Sequence, residues 1–374
     1  MTRVPLSVLD LSPISEGSTV AQALRNTVDL ARQTEEWGYE RYWVAEHHFV
    51  AAASSSPAVL IGLIAAATNR IRVGSAAVQL GFTTAAAVVE SFGTVDALYP
   101  GRIDLGVGRS GQRRAEVLSG APVPERPRDA RTIDGALFPA PYSPVALLKS
   151  ARLAASLGAL QQPEAISPDF GDQLDDIAAL LSDTYERNGV PLSARPGAGA
   201  QVQVWLFGSS AGPSAREAGA RGLPFVANYH VSPGTTLDAI DEYRSAFLPS
   251  ETLSHPYVAV SADVVVGDSD SSAHELAASF PQWVYSIRSG HGAVEYPDPR
   301  SLTPLSDEQY SLVADRVDTQ FTGSAATVCE KLDGLQKATG ADELVVTSMT
   351  HDHADRLLSY ELLGKEWGLP RLRV

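Results

Sequence analysis

The amino-acid sequence predicts an α/β fold, and within that class a closed (β/α)8 TIM barrel rather than an open doubly wound sheet. Strand-like and helix-like segments alternate from residue 5 onward, which implies parallel strands joined by crossovers. Eight segments read as strands, the number that closes such a barrel. Hydrophobic residues make up 44% of the 374, enough to fill one large core.

The first strand is expected over residues 5–9, a short apolar run. Ser18 is a candidate cap for a helix reaching about Trp37: Ala21, Leu24, Val28 and Ala31 recur at helical spacing, and Gly38 ends it. RYWVA (41–45) is rich in strand formers. Ser56-Pro57 opens a second helix, to about Thr68, because proline suits the first turn. A strand at 71–76, a helix at 85–98 closed by Tyr99-Pro100-Gly101, and a strand at 103–107 complete the repeating unit. Further on, 202–207, 224–227, 257–266 and 343–347 read as strands. Helices are expected near 214–220, 237–247, 271–284, 325–339 and 352–367.

Two stretches break the rhythm. Residues 112–173 carry many Pro and Gly, with a helix expected only at 144–160, and residues 286–322 are similar. The sequence therefore reads as one domain, 1–374, with insertions at about 112–173 and 286–322. Long irregular segments inside a barrel are usually functional lids or disordered.

Composition narrows the function. Only 29 Lys+Arg oppose 44 Asp+Glu, a net charge of −15, which disfavours nucleic-acid binding because that class needs a basic face. Cys329 is the single cysteine, so an intrachain disulfide and a cysteine-built zinc or iron–sulfur site are ruled out. The opening MTRVPLSVLD lacks an apolar stretch of signal-peptide length, and no run of 18 apolar residues follows. A cytoplasmic protein without a membrane partner is expected.

GVGRSG (106–111) matches G-x-G-x-x-G directly after a strand, the pattern of a dinucleotide-binding turn. It follows the fourth strand rather than the first, and Pro122, Pro124 and Pro127 are a poor start for the helix that motif requires. Arg109 still suits an anion there, because a guanidinium forks onto phosphate oxygens; the alternative is a tight turn with a solvated arginine. Gly208-Ser209-Ser210 lies between the strand VQVWLF and a helix opened by Pro213. Hydroxyls beside the free N–H groups of a helix N-terminus make an anion site, with simple N-capping as the alternative. Both motifs fall at strand C-terminal ends, which share the face of a barrel where active sites form. A phosphorylated cofactor is the natural bridge between them.

Glu46-His47-His48 ends the second strand on that same face. Histidines there can serve as base, hydrogen-bond donor or metal ligand, and a structural role is the plainer alternative. Side chains alternate along a strand, so His48 should point away from His47 and pack behind the barrel wall. Glu46 is either an orienting partner of His47 or solvated. His351-Asp352-His353 has the composition of a metal cluster, but it precedes the last helix, where Thr350 or Asp352 suits a cap. No metal is expected.

VAEHHF (44–49), SPAVLIGLIAAATNRIRVGSAAVQL (56–80), ESFGTVDALYPGRIDLGVGR (90–109) and TGADELVVTSMTHDHADRLLSYELL (339–363) together resemble the bacterial luciferase-like flavin monooxygenases. The opening LSVLDLSPISEGST is similar to a branch from actinobacterial polyketide-tailoring pathways. The resemblance covers most of the chain. It implies a barrel using FMN, reduced by a separate flavin reductase, and O2; one oxygen would pass through a flavin C4a-hydroperoxide to an organic substrate, a polyketide in antibiotic biosynthesis being one candidate. It also implies a homodimer built on the helices near 56–67 and 85–98. Carried over by position, it makes His47 the catalytic histidine and Arg109 the phosphate arginine. Ser209 becomes a phosphate-binding serine, flanked by Gly208 and Ser210. Ala76-Ala77 matches a site beside the flavin where the luciferase chain has a cis peptide, and a cis or an ordinary trans bond are both open here.

The chain departs from luciferase at Gly108, where luciferase has a reactive cysteine, at Gly208, where it has a glutamate, and at Gln112, where it has an aromatic residue. An aldehyde substrate and light emission are therefore not implied. Some relatives move hydride with the deazaflavin F420, and others bind flavin without catalysis; both remain alternatives.

Overall fold

The structure, a computed structural model, describes residues 3–109 and 129–371. Eight parallel strands close on themselves: β1 (Leu6–Asp10), β2 (Arg41–Val44), β3 (Arg72–Ser75), β4 (Ile103–Gly108), β5 (Gln203–Gly208), β6 (Phe225–Ala227), β7 (Val258–Gly267) and β8 (Glu343–Thr347). Each pairs with the next in sequence, and β8 returns to β1 with Leu6 opposite Leu344. Such strands are covered on both faces, and this is why they read as continuous apolar runs. The predicted barrel is present.

Its interior is filled rather than hollow. Trp43, Trp205 and Phe207 meet edge to face, with centroids 5.4 and 5.3 Å from Trp43. Gly74 leaves the space for Trp43, since an added Cβ there would lie 2.5 Å from the indole. Gly106 has a similar reason: its Cβ would stand 1.9 Å from the Ser75 carbonyl. The first glycine of G-x-G-x-x-G thus serves strand packing, which accounts for its presence without a Rossmann turn.

The N-terminal end of the barrel is closed by charge. Arg41 pairs with Glu343 at 2.9 Å and with Asp104 at 3.2 Å, and Arg72 also pairs with Asp104. Near the other end of β1, Asp10 accepts bonds from Thr27, Tyr42 and Arg356. Burial alone would raise its pKa; Arg356 and the two hydroxyls outweigh burial and hold the carboxyl below its usual range. This network fastens the last helix, His353–Trp367, to the first strand.

Several expected boundaries need correction. Thr19, not Ser18, caps the first helix, Val20–Glu36, accepting from the Gln22 N–H at 3.1 Å. The helix expected at 271–284 is two, Asp270–Leu276 and Phe280–Arg288, with Pro281 suited only to the start of the second. The helix expected at 144–160 is likewise split, into Val145–Leu148 and Ala151–Leu160, where Ser150 caps the second piece. Between β4 and β5 lie a hairpin (Arg131–Ile133 with Ala136–Phe138) and an amphipathic helix, Phe170–Leu181, absent from the sequence reading. Within 286–322 are two short helices, Asp307–Ser311 and Ala314–Val317, and Phe321 begins a strand that pairs with the end of β7. Among the described residues, no helix is long and apolar enough to cross a membrane.

Candidate functional site

A cavity of about 350 Å³ opens at the C-terminal mouth of the barrel. The strand ends build it in turn. The first contributes Leu9 and Leu11, the second Ala45, Glu46 and His47, and the third Ala76, Ala77 and Gln79. The fourth and fifth add Gly108, Arg109 and Phe207 to Ser210. The seven residues that the resemblance assigns to the site, His47, Ala76, Ala77, Arg109, Gly208, Ser209 and Ser210, all line this one space. Gly111 and Gln112 lie outside the described residues.

One side of the cavity gathers hydrogen-bond donors of the kind that suit an anion. β4 and β5 are neighbours, paired from Asp104–Gln203 to Val107–Leu206, so Arg109 and Ser209 emerge side by side. Asn228 holds Ser209 through Nδ2 donating to its Oγ at 3.2 Å, and the Thr235 hydroxyl donates to the Ser209 carbonyl. The helix Pro213–Ala220 starts beside them with Gly212 as N-cap. Glycine has no side chain to satisfy first-turn N–H groups, which leaves them for a ligand. Gly208 is dictated by packing: an added Cβ would lie 2.8 Å from the Phe225 ring.

The other side carries the histidines. The Ala76-Ala77 peptide bond, reached by Ala76 N–H donating to the Val44 carbonyl at 2.7 Å, is cis. His47 borders the cavity; its Nδ1 is shut from solvent and has no hydrogen-bond partner among the described residues. Loss of hydration, with the charge of His48 second, lowers its pKa to about 4. The ring is therefore neutral near pH 7. Glu46 does not orient it. Its Oε1 bonds His48 Nε2 at 2.8 Å and its Oε2 accepts the Gln79 N–H at 3.1 Å. His48 is absent from the cavity lining and tied to Glu46, rather than packed behind the wall as expected.

Sequence reasoning missed Asn228 and His230, which follow β6 and line the same cavity as His47. His230 Nδ1 lies 2.6 Å from Ser261 Oγ, and burial, then the charge of Arg316, then His47, lower its pKa to about 3. A histidine just past a barrel strand is the signal that marks it. His351 and His353 diverge: the first bonds the Glu16 carbonyl, the second Asp29. Among the described residues, no three His, Cys, Asp or Glu side chains converge as metal ligands.

This architecture defines a (β/α)8-barrel protein with one cavity at the C-terminal mouth of the barrel that brings Arg109, Ser209 and His47 together. The chain belongs to the luciferase-like monooxygenase family, whose model matches residues 4–133 and 179–343. The unmatched 134–178 fall almost wholly within the first irregular stretch. The chain is 37% identical to YvbT of Bacillus subtilis (strain 168) over 365 residues, 97% of this chain and 96% of that one. A luciferase-like monooxygenase of Escherichia coli (strain K12) is 34% identical over 363 residues, 96% of each. The solved structure of apo-MsnO8 superposes with TM-score 0.77 and 30% identity, covering 99% of both chains. At lower identity the fold is shared with the oxygenating constituent of a Pseudomonas putida 3,6-diketocamphane monooxygenase in complex with FMN (20%, TM-score 0.60, 100% and 99% covered). It is also shared with an F420-dependent secondary alcohol dehydrogenase (13%, TM-score 0.59, 97% and 98% covered). By family, the protein is a flavin-dependent monooxygenase.

Proposed function

We propose that this chain is the oxygenating component of a two-component monooxygenase, binding FMN that a separate flavin reductase has reduced and transferring one oxygen atom of O2 to an organic substrate. The observation that carries this reading is the single cavity that joins Arg109, Ser209 and a helix N-terminus to Ala76-Ala77 and His47. The residues fit such a cofactor. Three kinds of N–H and O–H donor suit a phosphate at one side. At the other, Ala76, Ala77 and Gly108 are small enough for a flat ring to lie against the backbone, and a buried His47 Nδ1 awaits a partner.

When bound, the reduced flavin supplies the reaction with O2. The chain's own part is positional. Arg109 and Ser209 anchor one end, and Leu9, Leu11, Ala45 and Phe207 keep the reacting end dry. Neutral His47 can accept a proton at one step and return it at another. A homodimer is part of the proposal: Pro57–Ala67 is apolar all round yet exposes Val59 and Leu63. Polyketide tailoring and a cytoplasmic location belong to the same reading.

The direct test is titration of the protein with FMN, reduced FMN and F420. Tighter binding of reduced FMN supports the reading; preference for F420 would transfer the chain to hydride chemistry.

A further inference from the structure

A second cavity, of about 180 Å³, adjoins the first, and Ser209, Ser210 and Val231 line both. Part of its wall is apolar: Pro141, Tyr142, Pro144 and Leu147 come from the segment between β4 and β5, and Ile287 from the helix Phe280–Arg288. Two arginines, Arg288 and Arg316, also line it, with side chains only 5% and 7% exposed, together with one carboxylate, Asp315, and the hydroxyls of Ser232 and Thr235.

Each arginine is tied to one carboxylate by one nitrogen. Arg288 Nη2 donates to Asp315 Oδ2 at 2.9 Å, and Arg316 Nη2 donates to Asp263 Oδ2 at 3.2 Å. A guanidinium has five N–H donors. Arg288 Nη1 and Arg316 Nε are buried without a hydrogen-bond partner among the described residues. Aromatic faces take up part of the charge, Tyr142 against Arg288 and Phe280 with Trp283 against Arg316. Rings offer no lone pair, so the acceptor deficit stands. Buried donors in native proteins are nearly always satisfied, and among the described residues these two have no acceptor, which leaves the pair of guanidinium groups suited to an anion in the cavity.

We infer that this side cavity holds the organic substrate of the oxygenation and that Arg288 and Arg316 select substrates bearing a carboxylate on an apolar body. The inference rests on the reading of the main cavity as the flavin site. The anion and the apolar walls account for the two halves of such a molecule, and the shared border at Val231 lets it reach the main cavity. Arg316 lies close enough to His230 for its charge to act on that ring, so the carboxylate end would sit toward His230, which also lines the main cavity.

The test uses the FMN-loaded protein and a set of matched alkyl and aryl carboxylates with their methyl esters, with binding read by saturation-transfer NMR. The acids should bind roughly tenfold or more tightly than the esters, the worth of one charge-assisted bond. Arg288→Met, and the double variant Asp263→Asn/Arg316→Met that removes the buried pair together, should each bring acid and ester close to parity. FMN affinity, measured on the same samples, should not change. Equal binding of acids and esters, binding of neither, or a preference that survives both variants overturns the inference. Failure of the wild-type protein to bind FMN at all would sink the flavin reading instead, so the two failures are distinguishable.

Discussion

Arg109 and Ser209 stand on neighbouring strands whose last paired residues, Val107 and Leu206, are in register, so guanidinium and hydroxyl reach the cavity together. Neither side chain achieves this through its own loop. The closed sheet does it, by aligning two strand ends that are about a hundred residues apart in the chain.

Removing the guanidinium should therefore weaken FMN binding. Arg109→Ala should cost about 1.5–3 kcal/mol, the usual worth of a charge-assisted hydrogen bond, and Ser209→Ala less. Fluorescence titration reads both. Unchanged affinity in Arg109→Ala would place the phosphate elsewhere.

His47 should matter to chemistry more than to binding. His47→Ala should retain most FMN affinity yet lose coupled oxygenation by roughly 10²–10⁴-fold, as for a lost acid–base group. His48→Ala should do less to catalysis, because His48 pairs with Glu46 and takes no part in the cavity wall. Product formed per flavin consumed is the measurement, and a full yield in His47→Ala contradicts the assignment.

Acid should destabilise the fold through two histidines. Burial holds His47 at about 4 and His230 at about 3, against about 6.5 in an unfolded chain. Below pH ~6.5 the unfolded state binds protons that the folded state refuses, so stability present above that pH is lost on acidification. Asp263 acts in the opposite sense. Burial raises it to about 6 against the pull of Arg316, so its contribution is lost as pH rises through that value. The melting temperature should fall between about pH 7 and pH 5, and fall less in His230→Asn. An identical fall in that variant would show that His230 is not a source.

The sequence and the structure agree best where both faces of an element are apolar. All eight barrel strands could be found that way, and Ala85–Leu98, Ala325–Thr339 and Glu343–Thr347 agree to the residue. Agreement failed where the chain leaves the barrel. Phe170, Leu174, Ile177 and Leu180 bury one face of a helix, but they follow a stretch of prolines and glycines that masks the period. The cavity was legible wherever a motif sat directly on a strand end, as with His47, Arg109 and Ser209. Asn228 and His230 were not, because β6 has only three residues and gives little frame for counting outward. Arg288 and Arg316 come from elements between β7 and β8, and only the folded chain brings them beside Ser209.

Association should depend on the exposed apolar residues of Pro57–Ala67. Val59 and Leu63 are 63% and 55% exposed on a helix with no charged residue. A charge placed there would be costly to bury in an interface, so Leu63→Glu should convert a dimer to a monomer with little loss of fold. Light scattering at micromolar concentration decides this; a monomeric wild-type protein removes the claim.

The central claim is oxygen transfer from reduced FMN, and isotope labelling tests it most directly. The protein should be supplied with FMN, a flavin reductase, ¹⁸O2 and candidate substrates that include apolar carboxylates, and the products weighed by mass spectrometry. One ¹⁸O atom per product, dependent on FMN and on His47, is the predicted result. Turnover that needs F420 and yields product without label would contradict it.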